Sequence, residues 1–480
     1  MHSIVPSPGS SRSICRSVQL ATLENLLPDT EIEDICSEIG HHWRNRQLSP
    51  GPTVRSMVHR GLHPDHSIAG MLADLGAMLG PEASAPTDSA WCQARSRLPE
   101  AVLAELIFRR ALECRRRFGR SCRWHDRWVF RIDGTTISMP DMPSLAEEFG
   151  YANSYHGFSR FPIARLTFIE LAGLNVIWNY RLDDYRCSEE SQLYDMWHVL
   201  PSGCICLLDR KFCTFYSMAK LRQRRIAVVT PLHQGRDPQK LIQQGRSLGK
   251  NQWLVPLDLR PGLRKAYDDP TLPQTLFVRL IRVRALRGRK TKLWLVTTLT
   301  DPARYPLHEV TDLYRTRWQI EPRIGSLKTT LAMNVLRSKS PRAARREVAA
   351  IILGHNLVWM LIHEAAEVAD TPAEDISFAG AVKVALAFSA PMSYASGRTR
   401  RQLHHKMLLQ IARQINHHPF GRVEPRLLKR STRTYGHLRE PRWKARLKCL
   451  SSGHYVVVPE LLLPVPRVHQ LRVPCRLRSP

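Results

Sequence analysis

A chain of 480 residues, 43% hydrophobic and 24% charged, is long enough for about three domains and ordinary enough in composition to fold as a soluble protein. Its charge is the unusual number: 71 Lys+Arg against 42 Asp+Glu, a net +29, which argues for a polyanionic partner, most simply nucleic acid. Eleven cysteines without one Cys-x-x-Cys pair exclude a zinc finger or a disulfide framework and read as reduced thiols in a cytosolic protein.

In chain order, residues 1–125 show helical periodicity, as in "IAGMLADLGAMLG" (68–80) and "PEAVLAELIFRRALECRRRFGR" (99–120). The stretch "GPEASAPTDSA" (80–90) between them is a linker by composition, and the first thirty residues carry no basic-then-apolar signal pattern. A core segment follows over 126–231. In "WVFRIDGTTISM" (128–139) the period drops to two, with Val129, Arg131 and Asp133 on one face and Trp128, Phe130 and Ile132 on the other. "ARLTFIELAG" (164–173) and "NVIWNYRL" (175–182) predict two more strands joined by a glycine turn, and "SEESQLYDMWHVL" (188–200) a helix. "GCICLLDRKF" (203–212) has the signature of a strand buried on both faces. A basic helix, "FYSMAKLRQRR" (215–225), and a further buried strand, "IAVVTPL" (226–232), close this part.

Residues 232–304 read as an all-β insertion, with strands in "NQWLVPLDL" (251–259), "TLFVRLIRVRAL" (275–286) and "TKLWLVTTL" (291–299) and "RGRK" (287–290) as a tight basic turn. Helices resume over 305–395. Among them "VAAIILGHNLVWMLIHEAA" (348–366) is interrupted by His355, Asn356, His363 and Glu364, too polar and short to span a bilayer, so it predicts a buried helix and no membrane partner. The region 396–480 is basic: residues 397–480 hold 19 Lys+Arg and 3 Asp+Glu, and the tail after 449 is broken by prolines. This element order implies an α/β protein with a mixed sheet flanked by helices, a helical N-terminal domain and a basic C-terminal region.

Three carboxylates occupy informative places. Asp133 is followed by "GTT", small residues that leave room beside it. Asp209 closes the buried strand, where a carboxylate either caps the next turn or faces a crevice. On the helix in "LYRTRWQIEPRIGSLK" (313–328), at ~100° per residue, Tyr314, Arg317, Glu321 and Lys328 share an arc of about 60°, beside an apolar seam of Leu313, Ile324 and Leu331. Read alone, that stripe is a set of surface ion pairs such as Arg317 with Glu321. Read with Asp133 and Asp209, it makes a hard-oxygen site suited to two Mg²⁺ or Mn²⁺ ions ~4 Å apart. Arg317 and Lys328 would hold phosphates beside such a site, Tyr314 would offer a hydroxyl, and Trp318 is the neighbouring aromatic.

The spacing Tyr314-x2-Arg317-x3-Glu321-x6-Lys328 resembles the YREK signature of DDE transposases of the insertion-sequence 4 family, and "DGTT" (133–136) and "DRKF" (209–212) resemble its two aspartate motifs. "SAWCQARSRLP" (89–99) and "EPRLLKRSTRTYGHLREPR" (424–442) resemble flanking segments of the same family. The resemblance implies an RNase H-like core and an enzyme that cuts and rejoins DNA at terminal inverted repeats. Asp133, Asp209 and Glu321 would hold two Mg²⁺ or Mn²⁺ ions, and no nucleotide cofactor would be needed. It implies a homodimer that pairs two ends before inserting them in target DNA, in a bacterial cytoplasm at the nucleoid. Family members that cut through a DNA hairpin have a tryptophan before a similar strand, stacked on a flipped-out base, which is the role implied for Trp294.

Two departures from the family pattern stand out. Pro322 directly after Glu321 must kink the helix or lie in the first turn of a restarted one, and "GHNL" (354–357) stands where the family often has a Tyr-Asn pair. His59-x3-His63-x2-His66 has metal-ligand types, but Pro64 breaks the helix such a spacing needs, so no zinc site is expected there. "GRSLGK" (245–250) is too short for a phosphate loop. The rival readings are a DNA-binding remnant that no longer cuts and an RNase H-like nuclease that cuts without rejoining.

Overall fold

The computed structural model describes residues 23–416 apart from 24, 45, 78–83, 155–156 and 284–292, with isolated positions between 444 and 451. The "RGRK" turn, the segment 424–442 and the proline-broken tail lie outside the described residues.

Helices α1 (Asp29–Glu38), α2 (Pro50–Leu62), α3 (Ile68–Ala77), α4 (Asp88–Arg97) and α5 (Glu100–Phe118) come first among the described residues. Helix α5 shows why: Val102, Leu103, Leu106, Ile107, Ala111 and Cys114 recur at helical spacing and are all buried, while Arg115, Arg116 and Arg117 complement the dipole in its last turn.

The sheet comes next in sequence. Its strands are β1 (Arg127–Ser138), β2 (Ile163–Leu171), β3 (Val176–Asp184), β4 (Ile205–Leu207), β5 (Ala227–Pro231), β6 (Arg246–Gly249), β7 (Gln252–Asp258), β8 (Thr275–Val283) and β9 (Leu293–Thr297). They lie in the order β3-β2-β1-β4-β5-β9-β8-β7-β6, and the short strand Arg123–Trp124 pairs with the start of β1. Strand β2 is antiparallel to both neighbours, whereas β1, β4 and β5 run parallel. The arrangement of these five strands is RNase H-like. Between them, α6 (Glu189–Met196) links β3 to β4 and α7 (Phe215–Gln223) links β4 to β5.

The strands of the insertion extend the core sheet, because β9 returns to pair with β5, Val296 opposite Thr230. One expectation is corrected: the insertion is not all β, since Pro238–Gln244 and Pro261–Tyr267 are helical, each with proline in its first turn, in segments too short for periodicity to reveal.

After the sheet come α8 (Leu307–Arg315), α9 (Ile320–Gly325), α10 (Pro341–Ala369), α11 (Phe378–Tyr394) and α12 (Gly397–Ala412). Helix α10 is long and apolar enough to cross a membrane, yet 94% of its most apolar window is buried inside the protein, as its sequence predicts. Three of its buried polar side chains bond to backbone. The Asn356 side chain accepts from Ile177 N at 2.7 Å and donates to Ile177 O at 2.8 Å, where the β2–β3 register shifts. His355 lies 3.1 Å from the Asn175 carbonyl and His363 3.0 Å from that of Leu174. The sequence "GHNL" therefore clamps the β2–β3 turn to α10.

Candidate active site

Strand register brings the two aspartates together. Arg131 of β1 is paired in parallel with Leu207 of β4, so two residues further on Asp133 and Asp209 stand at the same level of neighbouring strands. Asp209 precedes the 3-10 turn Arg210–Phe212 but makes no side-chain cap, so its carboxylate is left to face the crevice. Asp133 accepts from Gly134 N at 2.9 Å. The guanidinium of Arg317 lies between the two, 3.3 Å from Asp133 Oδ2 and 3.9 Å from Asp209 Oδ1. Burial pushes the Asp133 carboxyl above its ordinary range against the pull of Arg317, so desolvation is the stronger effect there.

The signature segment is not one helix. Helix α8 ends at Arg315, Thr316–Gln319 is 3-10, α9 follows, and Ser326–Thr330 is π-helical. Pro322 thus falls in the first turn of a restarted helix. The winding change corrects the shared arc. Two to three 3-10 steps of ~120°, followed by α-helical steps of ~100°, carry Glu321 to roughly 80–100° from Arg317, where a regular helix would leave about 40°. Accordingly Arg317 is buried and Glu321 is exposed. Among the described residues the three carboxylates do not gather to within 4.8 Å, and Glu321 makes no ion pair.

The other signature residues are placed as follows. Tyr314 is 1% exposed and its hydroxyl donates to the Leu208 carbonyl at 3.4 Å, so here it braces the strand end before Asp209 and is closed to a phosphate. Lys328 lies in the π segment, half-buried, and burial lowers its pKa. Trp318 packs edge-on against Tyr314, with ring centroids 5.9 Å apart. Trp294 on β9 is partly buried against the main core, 5.8 Å from the Trp253 ring.

Two residues escaped sequence reasoning. Arg131 is fully buried on the face of Asp133, and from there it reaches the 3-10 break: it donates to the Thr316 carbonyl at 3.2 Å and to Gln319 Oε1 at 3.3 Å. It also donates to Asn175 and lies 3.3 Å from the cross-strand Glu170, itself 1% exposed. Beyond the break, Leu336 N donates to the Ser138 carbonyl, so the chain is tied to β1 both before and after α9 and the π segment. The second is Glu189, at the start of α6, which bonds Arg165 at 2.9 Å and lies 3.6 Å from Lys211. It fills the room that Gly134 leaves: a Cβ there would stand 2.6 Å from its carboxyl carbon. Ser188, which caps α6, is the signal that fixes Glu189 at the helix start.

Residues 124–357 match the family described as the transposase DDE domain. The chain is 25% identical over 327 residues to the transposase InsG for insertion sequence element IS4 of Escherichia coli (strain K12), covering 66% of this chain and 70% of that protein. It is 32% identical over 139 residues to InsZ of the same strain, which also carries a transposase name, covering 28% of this chain and 46% of that one. Among solved structures, the piggyBac transposase synaptic complex with hairpin DNA is similar at a TM-score of 0.44 and 11% identity, over 85% of this chain and 88% of that one.

Proposed function

Because this chain is a DDE transposase of the insertion-sequence-4 type, we propose that it cleaves and rejoins DNA at its element's terminal inverted repeats with Asp133, Asp209 and Glu321 as ligands of two divalent ions, Mg²⁺ or Mn²⁺. One observation carries the reading: carboxylates from neighbouring parallel strands face a single guanidinium, so this crevice already seats positive charge against hard oxygen donors. Asp133 and Asp209 fit such an ion as they stand. Glu321 completes the set by a turn of α9, a six-residue helix with 3-10 backbone before it and π backbone after it. When bound, the ions activate the attacking water or 3′ hydroxyl and stabilise the leaving oxygen.

The chain's own groups do the rest. Arg317 exchanges its two carboxylates for two phosphate oxygens, a fork its planar guanidinium matches. Lys328 supports the backbone from the π segment, and Tyr314 keeps Asp209 in place. The carboxylates hold the ions only when ionised, and burial favours the protonated Asp133 in the metal-free protein, so protons and metal compete there and cleavage falls as the medium is acidified. Two copies act together, since two ends are joined in one event, in the bacterial cytoplasm at the nucleoid.

The basic C-terminal residues supply non-specific grip on the duplex. Helix α12 packs Met407, Leu408 and Ile411 into the core, so a clean test removes only residues 417–480, with 14 Lys+Arg against 3 Asp+Glu. The truncation is expected to flatten the slope of log affinity against log salt by roughly 0.9 for each phosphate that these side chains had neutralised. An unchanged slope means these residues do not touch DNA.

Trp294 is the stacking platform for a base that leaves the duplex, a reading supported by its incomplete burial. Such stacking returns ~1–3 kcal/mol per base. Trp294→Ala is expected to leave first-strand nicking unchanged and to suppress hairpin formation, with Trp294→Phe partly restored. If the ring serves packing alone, the alanine variant instead melts lower and weakens every step together.

A further inference from the structure

Away from the aspartates, three imidazoles converge on one carboxylate in the N-terminal helices. Helix α2 ends at Leu62, His63 caps it in a non-helical conformation, and the chain turns through Pro64 into α3. The turn supplies the convergence that a continuous helix would have given: it brings His63 and His66 beside His59, with ring centroids 4.9 Å apart for His59–His63 and 4.2 Å for His63–His66. Asp74, one turn before the end of α3, faces all of them. Ligand atoms of His59, His63 and Asp74 lie within 4.8 Å of one another. His59 Nε2 is 3.3 Å from Asp74 Oδ2, and His66 Nδ1 is 2.9 Å from the same oxygen.

We propose that His59, His63, His66 and Asp74 form a structural site for one Zn(II) ion that staples α2 to α3. The donor set, three imidazoles and a carboxylate, is one that Zn(II) takes in tetrahedral sites. Ligands bound at ~2.0–2.1 Å in a tetrahedron stand about 3.3 Å apart, close to the two spacings around Asp74. The site is built rather than incidental. His59 is 2% exposed, and its Nδ1 has no hydrogen-bond partner among the described residues. The backbone of the turn is fixed from the side of α10: Arg337, itself paired with Glu347, donates to the carbonyls of Pro64 at 2.9 Å and His66 at 2.8 Å. Three imidazoles around one carboxylate place several nitrogen lone pairs and a hard oxygen within reach of one point, the arrangement a single cation uses. Pro64, which argued against a helix-borne site, is what closes the loop around the ion. The ion would join two short helices, of 13 and 10 residues, across the turn that separates them.

The test uses the full chain, stripped with EDTA and titrated with Zn(II), with melting temperature as a second readout. Expected are one tight Zn(II) per chain and a higher melting temperature on loading. His63→Gln/Asp74→Asn is expected to weaken binding by at least ~10-fold, the lower bound set by disturbing even an outer-shell partner. Its melting temperature should equal that of the EDTA-treated parent and no longer rise with Zn(II). His308→Ala, an exposed histidine elsewhere, should bind normally. Should the double variant melt below the stripped parent, the same comparison is made with His66→Gln, whose ring is 34% exposed. Binding that survives these changes but is lost in Asp133→Ala would assign the zinc to the aspartates instead and overturn the proposal. So would a parent chain whose melting temperature zinc does not raise.

Discussion

Asp133→Asn should abolish strand cleavage, by about 1,000-fold or more, while leaving the protein as stable as before or more so. The sign follows from the balance at that position. Burial raises the folded-state pKa of Asp133 more than Arg317 lowers it, so the folded protein holds a proton there more tightly than the unfolded chain. Such a group favours folding at low pH, and that contribution is lost as pH rises through the folded value. At neutral pH the buried charge is therefore a net cost, which asparagine removes. Asp209→Ala and Glu321→Ala should lose cleavage equally, and binding to end DNA should persist in all three. Ca²⁺, which coordinates more loosely than Mg²⁺, should support binding but not cutting. A substitution that lowers the melting temperature and merely slows cleavage marks a residue kept for folding.

Arg131→Met should be among the most destabilising single changes in the chain. Glu170, at 1% exposure, would lose its cross-strand partner, and removing one member of a buried pair costs about 3–5 kcal/mol. The loss should reach the active site as well, because Arg131 holds the carbonyl of Thr316 and the side chain of Gln319 in the 3-10 break that carries Arg317. Thermal melting and cleavage by the folded fraction separate the two effects. If the folded variant cuts at the parent rate, Arg131 serves the fold alone.

The sequence announced the strands well because their signals are local. Period two over 128–139 and the apolar run before Asp209 correspond to β1 and β4, and their parallel pairing is what aligns the aspartates. It also announced α10, whose burial its polar residues betrayed. Three things were not legible, each for a non-local reason. The break at 316–319 is held by Arg131, 185 residues away from Thr316, so no pattern within the signature could reveal it. The insertion joins the core sheet through β9 and β5, a pairing that depends on where the chain returns and not on its β propensity. Pro64 argues against the histidine cluster on helix geometry, yet the turn after Leu62 supplies the convergence that a helix would have supplied.

Glu321 is the carboxylate whose role asks most of the protein, being exposed on a short helix away from the two aspartates, and replacing it with cysteine tests the metal site most directly. A thiolate is a poor ligand for hard Mg²⁺ and a better one for Mn²⁺. With inverted-repeat DNA from the element's own ends, Glu321→Cys should fail to cut in Mg²⁺ and recover cleavage in Mn²⁺, while Glu321→Ala stays inactive in both. Equal cleavage by the cysteine variant in the two metals would show that Glu321 does not hold the ion.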